Sequence, residues 1–175
     1  MGKDNRRDTI QYKTFEQMEP EHDLIFNDDG KGEAADLVCL TEIDDETIKL
    51  TLVHCKNAYD GRPTGRIDNF YTVCGQAQKS SKIKHRGIDK LVVSLLRRQN
   101  IWTREGKTRF LKGDVKLLEF LANKAKRSKL LFEVVIVQPG GIKSSLSDDI
   151  LILLGTTEHY LQKTTQAEFR VITSS

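Results

Sequence analysis

Asp36, His54 and Lys56 are the residues of this chain whose types and spacing suggest chemistry. Asp36 opens the apolar run "DLVCLTEI", and His54 and Lys56 close the run "TIKLTLVHCK". Residues two apart on a strand share a face, so His54 and Lys56 project together with Leu50 and Leu52 while Cys55 points the other way. Pairing of the two strands brings Asp36 alongside the end of the second, and an acid, an imidazole and an ammonium then converge at one sheet edge. That trio suits metal-assisted phosphodiester hydrolysis. A carboxylate and a second ligand hold a divalent ion that polarises the phosphate and acidifies a water, and a lysine orients that water or balances the developing charge. Glu33 offers a further carboxylate, Glu16 another, and the backbone carbonyl of Cys55 an additional oxygen. Oxygen ligands suit Mg2+, whereas an imidazole moves the preference towards Mn2+. Each residue also has a bland reading: a satisfied core histidine, a lysine whose stem runs along the sheet to solvent, and solvated or capping acids at Glu16 and Glu33. A Cys55 nucleophile activated by His54 is excluded, because adjacent strand residues face opposite ways.

Three strands must position these groups. "DLIF", "ADLVCLTEI" and "TIKLTLVHCK" are apolar or alternating runs separated by the turn chemistry of "DDGKG" and "DDE", which predicts an antiparallel meander. A short helix over 8–19, with Asp8 as its N-cap and Pro20 as its stop, precedes them. Ile67, Phe70, Tyr71, Cys74 and Ala77 recur at helical spacing and predict an amphipathic helix over 67–83. Further helices are expected over about 89–99, from Asp114 through "KLLEFLANKAKR", and after Ser147. Strands are expected in "KLLFEVVIVQPGG" and "AEFRVIT". The order implies an α/β fold, a mixed central sheet with helices on its faces.

Composition bounds the rest. A chain of 175 residues with 38% apolar side chains supports one core, so residues 8–175 are read as a single domain after a flexible tail over 1–7. Three separated cysteines without CxxC spacing suggest neither a disulfide framework nor a zinc site. No apolar stretch reaches about 18 residues and no signal peptide opens the chain, which predicts a cytoplasmic protein with no membrane partner.

The net charge of +3 decides nothing by itself, but about half of the Lys and Arg lie between Lys79 and Lys129. Lys79, Lys82, Lys84 and Arg86 form one run, and Arg104, Lys107 and Arg109 another, with Trp102 interleaved. Such a region suits DNA phosphates, with Trp102 either stacking on an unpaired base or anchoring the loop to the core.

An acid at a strand start, a turn, an "x-Lys" strand end and a following helix that carries Gln together resemble the PD-(D/E)xK nuclease superfamily, which has the restriction-endonuclease-like fold. The resemblance makes Asp36 the metal-binding aspartate, Lys56 the lysine, Glu16 the acid of the first helix, and Gln76 or Gln78 in "CGQAQKS" the helix glutamine; the two cannot both face the site, and Gln76, near the border of the buried face, is favoured. One position departs: His54 stands where Asp or Glu is expected. More narrowly, "NDDGKGEAADLVCL", "LVHCKNA", "CGQAQKS" and "LLGTTEHYLQKTTQAEFRV" resemble the nuclease-like domain at the C-terminus of large bacterial helicase-type proteins of DNA-processing and defence systems, over Ile10 to Thr173. The resemblance implies a Mg2+- or Mn2+-dependent DNA endonuclease with a three-layer fold. Its partners would be DNA and a helicase domain or subunit, with the oligomeric state, a dimer included, left open. The rival reading is a catalytically silent module of the same fold that binds DNA or docks a partner.

Overall fold

The computed structural model describes residues 7–56, 66–140 and 146–173. Strand β1 (Leu24–Asn27), β2 (Leu37–Asp44) and β3 (Thr47–Cys55) form the antiparallel meander that the sequence predicts. β5 (Lys129–Gln138) runs parallel to β3, and β6 (Glu168–Thr173) parallel to β5. A three-residue strand, β4 (Phe110–Lys112), pairs antiparallel with β1 and completes the order β4-β1-β2-β3-β5-β6. The result is an α/β architecture around a mixed six-stranded sheet.

Strand alternation divides the core in two. On one face Leu24, Phe26, Val38, Leu40, Leu50, Leu52, Val134 and Ile136 pack against Val73, Cys74 and Ala77 of α2 (Ile67–Lys79) and Leu91 and Leu95 of α4 (Ile88–Thr103). Leu118 and Leu121 of α5 (Val115–Ala125) and Leu161 of α6 (Asp148–Thr165) cover the same face. On the other, Ile25, Leu37, Cys39, Val53, Cys55 and Val135 meet Phe15 and Met18 of α1 (Ile10–Met18). At roughly 25 cal/mol per Å² of buried apolar surface these two layers supply the dominant stabilisation.

Several boundaries move from their expected places for local reasons. Thr9, not Asp8, caps α1, its side chain accepting from the Tyr12 amide at 3.2 Å. The helix expected over 67–83 stops at Lys79, and α3 (Ser81–Arg86) starts after Ser80, whose amide turns back to Ala77 O. Tyr71, expected in the buried stripe, is 57% exposed, and Val73 occupies the core in its stead. Asp114 caps α5 as the sequence implies, accepting from the Leu117 amide at 2.8 Å.

One buried histidine far from the candidate site makes the fold pH-sensitive. His22 is 2% exposed, its Nδ1 lies 2.6 Å from Thr41 Oγ1, and its Nε2 has no partner among the described residues. Burial above all, then the Lys49 charge, lowers its pKa from 6.5 to about 4, although Glu133 and Glu21 oppose the shift. The unfolded chain therefore binds the extra proton first. Stability is fully present above pH 6.5 and is lost as the pH falls towards 4, by up to about 3 kcal/mol. In urea denaturation the stability lost between pH 7 and pH 4.5 should be smaller in His22→Gln than in wild type by about 2–3 kcal/mol, the share that His22 contributes beside His54, Asp28 and Asp36.

Candidate metal and nucleic-acid site

The loop between β1 and β2 is built to hold acids close together. Asp28 N donates to Asp36 O at 3.0 Å, and Ala34 N donates to Asp28 Oδ2 at 2.7 Å. Gly30 N donates to Glu33 Oε2 at 2.6 Å, while Glu33 N returns to Gly30 O at 3.1 Å. Gly30 and Gly32 have φ values of 135° and 78°, which favour glycine at both positions. Two arginines fix the loop from below. Arg98 sends Nη1 to Asp28 O and Nη2 to Lys31 O at 2.8 and 3.0 Å, with its Nε 3.2 Å from Asp28 Oδ1. Arg109 Nη1 donates to Asn27 O and Asp29 O at 2.8 and 3.1 Å.

Asp36 sits at the junction of this loop with the strand end, as its spacing from Lys56 predicts. Its amide donates to Val53 O at 2.9 Å, and its Oδ2 accepts from the Cys55 amide at 2.8 Å. Oδ1 accepts from Gln11 Nε2 of α1 at 2.6 Å. The carboxyl is 6% exposed, and burial raises its pKa to about 6 against the opposing pull of these two hydrogen bonds; the Glu33 and Asp29 charges raise it further. Ligand oxygens of Asp29, Glu33 and Asp36 lie within 4.8 Å of one another. Three carboxylates so close repel one another, and an all-oxygen set of this kind fits a hard divalent cation such as Mg2+ or Mn2+.

His54 faces the other way from this cluster's hydrogen bonds. It is 3% exposed on the α2 side of the sheet, with Nε2 2.8 Å from Ser80 Oγ and Nδ1 buried without a partner among the described residues. Burial, with Lys79 adding to it, lowers its pKa to about 4, so the ring is neutral at physiological pH. His54, Gln76 and Lys79 line a cleft of about 460 Å³ whose opposite wall is the 30–34 segment. Glu33 belongs both to that wall and to the acid cluster. Gln76 Oε1 is also buried without a partner among the described residues, whereas Gln78 Nε2 donates to Thr157 Oγ1 at 3.2 Å. Gln76, the glutamine the sequence favours by a narrow margin, is the one at the cleft.

The Cys55 group that reaches Asp36 is its amide; the thiol faces α1, 3.7 Å from Thr14 Oγ1, and burial pushes its pKa up. Lys56 is half-buried just beyond β3, its amide donating to Val137 O at 2.9 Å. Glu16 is exposed on α1, and the α1 residue that reaches Asp36 is Gln11. Five residues turn a helix by about 140° beyond one revolution, so the two side chains occupy different faces. Asp29 and Gln11 were not anticipated. The acid pair "DD" before Gly30 carried a signal for Asp29, and nothing local marked Gln11.

The basic region also divides. Lys79, Lys82, Arg86, Arg104 and Lys107 are exposed. Lys84 is drawn inward, its Nζ donating to Leu130 O at 3.1 Å above the Phe132 ring. Trp102 is 3% exposed and Arg109 8%, with the guanidinium 4.1 Å from the indole centroid. Trp102 is not placed to meet nucleic acid, and its anchoring role is the one realised; Arg109, though buried, lines the groove that Lys31, Arg97 and Arg98 share. No helix among the described residues is long and apolar enough to cross a membrane. In comparisons with known proteins, no family model, curated protein or solved structure matches the chain.

Proposed function

We propose that this chain is a metal-dependent DNA nuclease domain of the restriction-endonuclease-like type, linked to a helicase. The observation that carries the reading is the convergence of Asp29, Glu33 and Asp36 beside the end of the strand that leads into Lys56. Asp36 and Glu33 would hold Mg2+ or Mn2+ with Asp29. A bound ion of this kind supplies Lewis acidity to a phosphodiester and lowers the pKa of a water. Lys56 would position the attacking water, and Gln76 would orient the substrate from the cleft wall. Neutral His54, with one nitrogen unpartnered, would accept or donate a hydrogen bond there instead of serving as a first ligand.

Mn2+ titration followed by electron paramagnetic resonance tests the metal assignment directly. Wild-type protein should bind one ion per chain through the acid cluster, and Asp36→Ala should bind it at least tenfold more weakly. Equal binding by both proteins would sink the assignment. Gln11→Ala should weaken Mn2+ binding about 10- to 100-fold, the usual consequence of removing a group that orients a ligand. His54 favours a second reading. Its ring takes the position of the family's second acid yet pairs with Ser80, which would suit a silent DNA-binding or docking module. Such a module should bind DNA in EDTA and show no Asp36-dependent metal binding.

A further inference from the structure

A second cleft, of about 410 Å³, adjoins the acid loop on the side of α3 and α4. Ala34, Ile83 and Leu91 give it an apolar lining, while Arg86 and Lys90 stand at its rim. Glu33 joins it to the acid cluster, and Ser94 closes the far side. Gly87, with φ of 85°, adds an open wall, since a Cβ there would meet nothing within 4 Å. Among the described residues Arg86 and Lys90 make no ion pair with an acid, although Asp89 between them on the same stretch is bound to Lys126 at 2.8 Å.

A pocket of mixed lining, with an apolar patch of Ala34, Ile83 and Leu91 and two cations at its rim, fits a ligand that combines a flat, weakly hydrated surface with negative charge. A nucleotide has both. The volume lies in the usual range for small-ligand sites and is more than a phosphate alone would need. In a duplex the faces of each base are covered by its neighbours, so only an unpaired or extruded nucleotide can bring a base face to Ala34, Ile83 and Leu91.

Resting on the nuclease reading of the adjoining acids, we infer that this cleft seats an unpaired nucleotide next to the cleaved phosphate, its phosphates on Arg86 and Lys90, so that the protein acts on single-stranded or frayed DNA. The neighbouring groove, lined by Lys31, Ser94, Arg97 and Arg98, continues the basic track along α4. From Lys90 to Arg97 the helix rises about 10 Å, close to two turns, so both cations lie on one face of α4.

Fluorescence anisotropy in EDTA tests this apart from cleavage, with a short labelled single strand and the blunt duplex of the same sequence. The single strand should bind at least tenfold more tightly. Replacing both Arg86 and Lys90 by Ala should weaken single-strand binding about tenfold or more and reduce the log–log salt slope by about 1.4, whereas Lys116→Ala on α5 should change neither. Ser94→Tyr, a change at an exposed position, should fill the cleft and abolish the preference without lowering the melting temperature. Equal affinity for both DNA forms, or a preference that survives Ser94→Tyr, would overturn the inference; so would a failure to bind DNA at all. Strand preference in EDTA without metal-dependent cleavage would leave the cleft standing and sink the nuclease reading. Cleavage without strand preference would do the reverse.

Discussion

Lys56→Ala is expected to lower metal-dependent DNA cleavage by about 10²- to 10³-fold, while leaving Mn2+ binding and DNA affinity in EDTA within about threefold of wild type. Lys56 directly follows Cys55, whose amide holds the Asp36 carboxylate at 2.8 Å, so its backbone is fixed one residue from the acid cluster. An ammonium there can orient a water without being a ligand. The split between intact binding and lost turnover is what separates a positioning role from a structural one. Retained cleavage in Lys56→Ala would remove the lysine from the site. Equal losses of metal binding and cleavage would show that the substitution had disturbed the cluster itself.

Arg98→Ala should be the most damaging substitution to the site's framework. Asp28 has a side chain 2% exposed, and burial raises its pKa to about 6 even with the Ala34 amide and the Arg98 charge opposing. Removing the guanidinium takes the nearest counter-charge from a buried carboxylate, leaving only the more weakly acting Arg109, and frees the Asp28 and Lys31 carbonyls. Such losses cost about 3–5 kcal/mol, which for a chain of this size lowers the melting temperature by roughly 10 °C. Mn2+ affinity should fall with it, because the same loop carries Asp29 and Glu33. Arg98→Lys restores the charge but not the forked reach to two carbonyls, so it should recover only part of both quantities. A melting temperature unchanged in Arg98→Ala would contradict this picture of the loop.

The parts of the fold that rest on local periodicity were legible in the sequence. Alternation along "TIKLTLVHCK" placed Leu50, Leu52 and His54 on one face and Cys55 on the other, which is how the two core layers divide. The turns "DDGKG" and "DDE" set the meander, and Asp114 marked the start of α5. What was missed depends on contacts between residues distant along the chain. Gln11 reaches Asp36 across 25 positions, and Arg109 reaches Asn27 across 82. No local pattern encodes such pairs. β4 has three residues, too few for alternation to register, and it forms along the otherwise unpaired edge of β1, where Phe110 meets Phe26 edge to face at 5.1 Å. Trp102 sat among basic residues and invited a surface role. The core needed its ring and the Arg109 guanidinium more, and tertiary packing decided between two readings that composition left open.

The central claim, an acid cluster that supports phosphodiester hydrolysis, meets its most direct test in cleavage of linear, circular and single-stranded DNA by the purified chain. Mn2+, Mg2+ and EDTA are compared, with Asp36→Ala beside wild type. The account predicts cleavage that requires metal and is absent from Asp36→Ala. Cleavage that persists in EDTA or in Asp36→Ala, or no cleavage of any substrate with either metal, would contradict it.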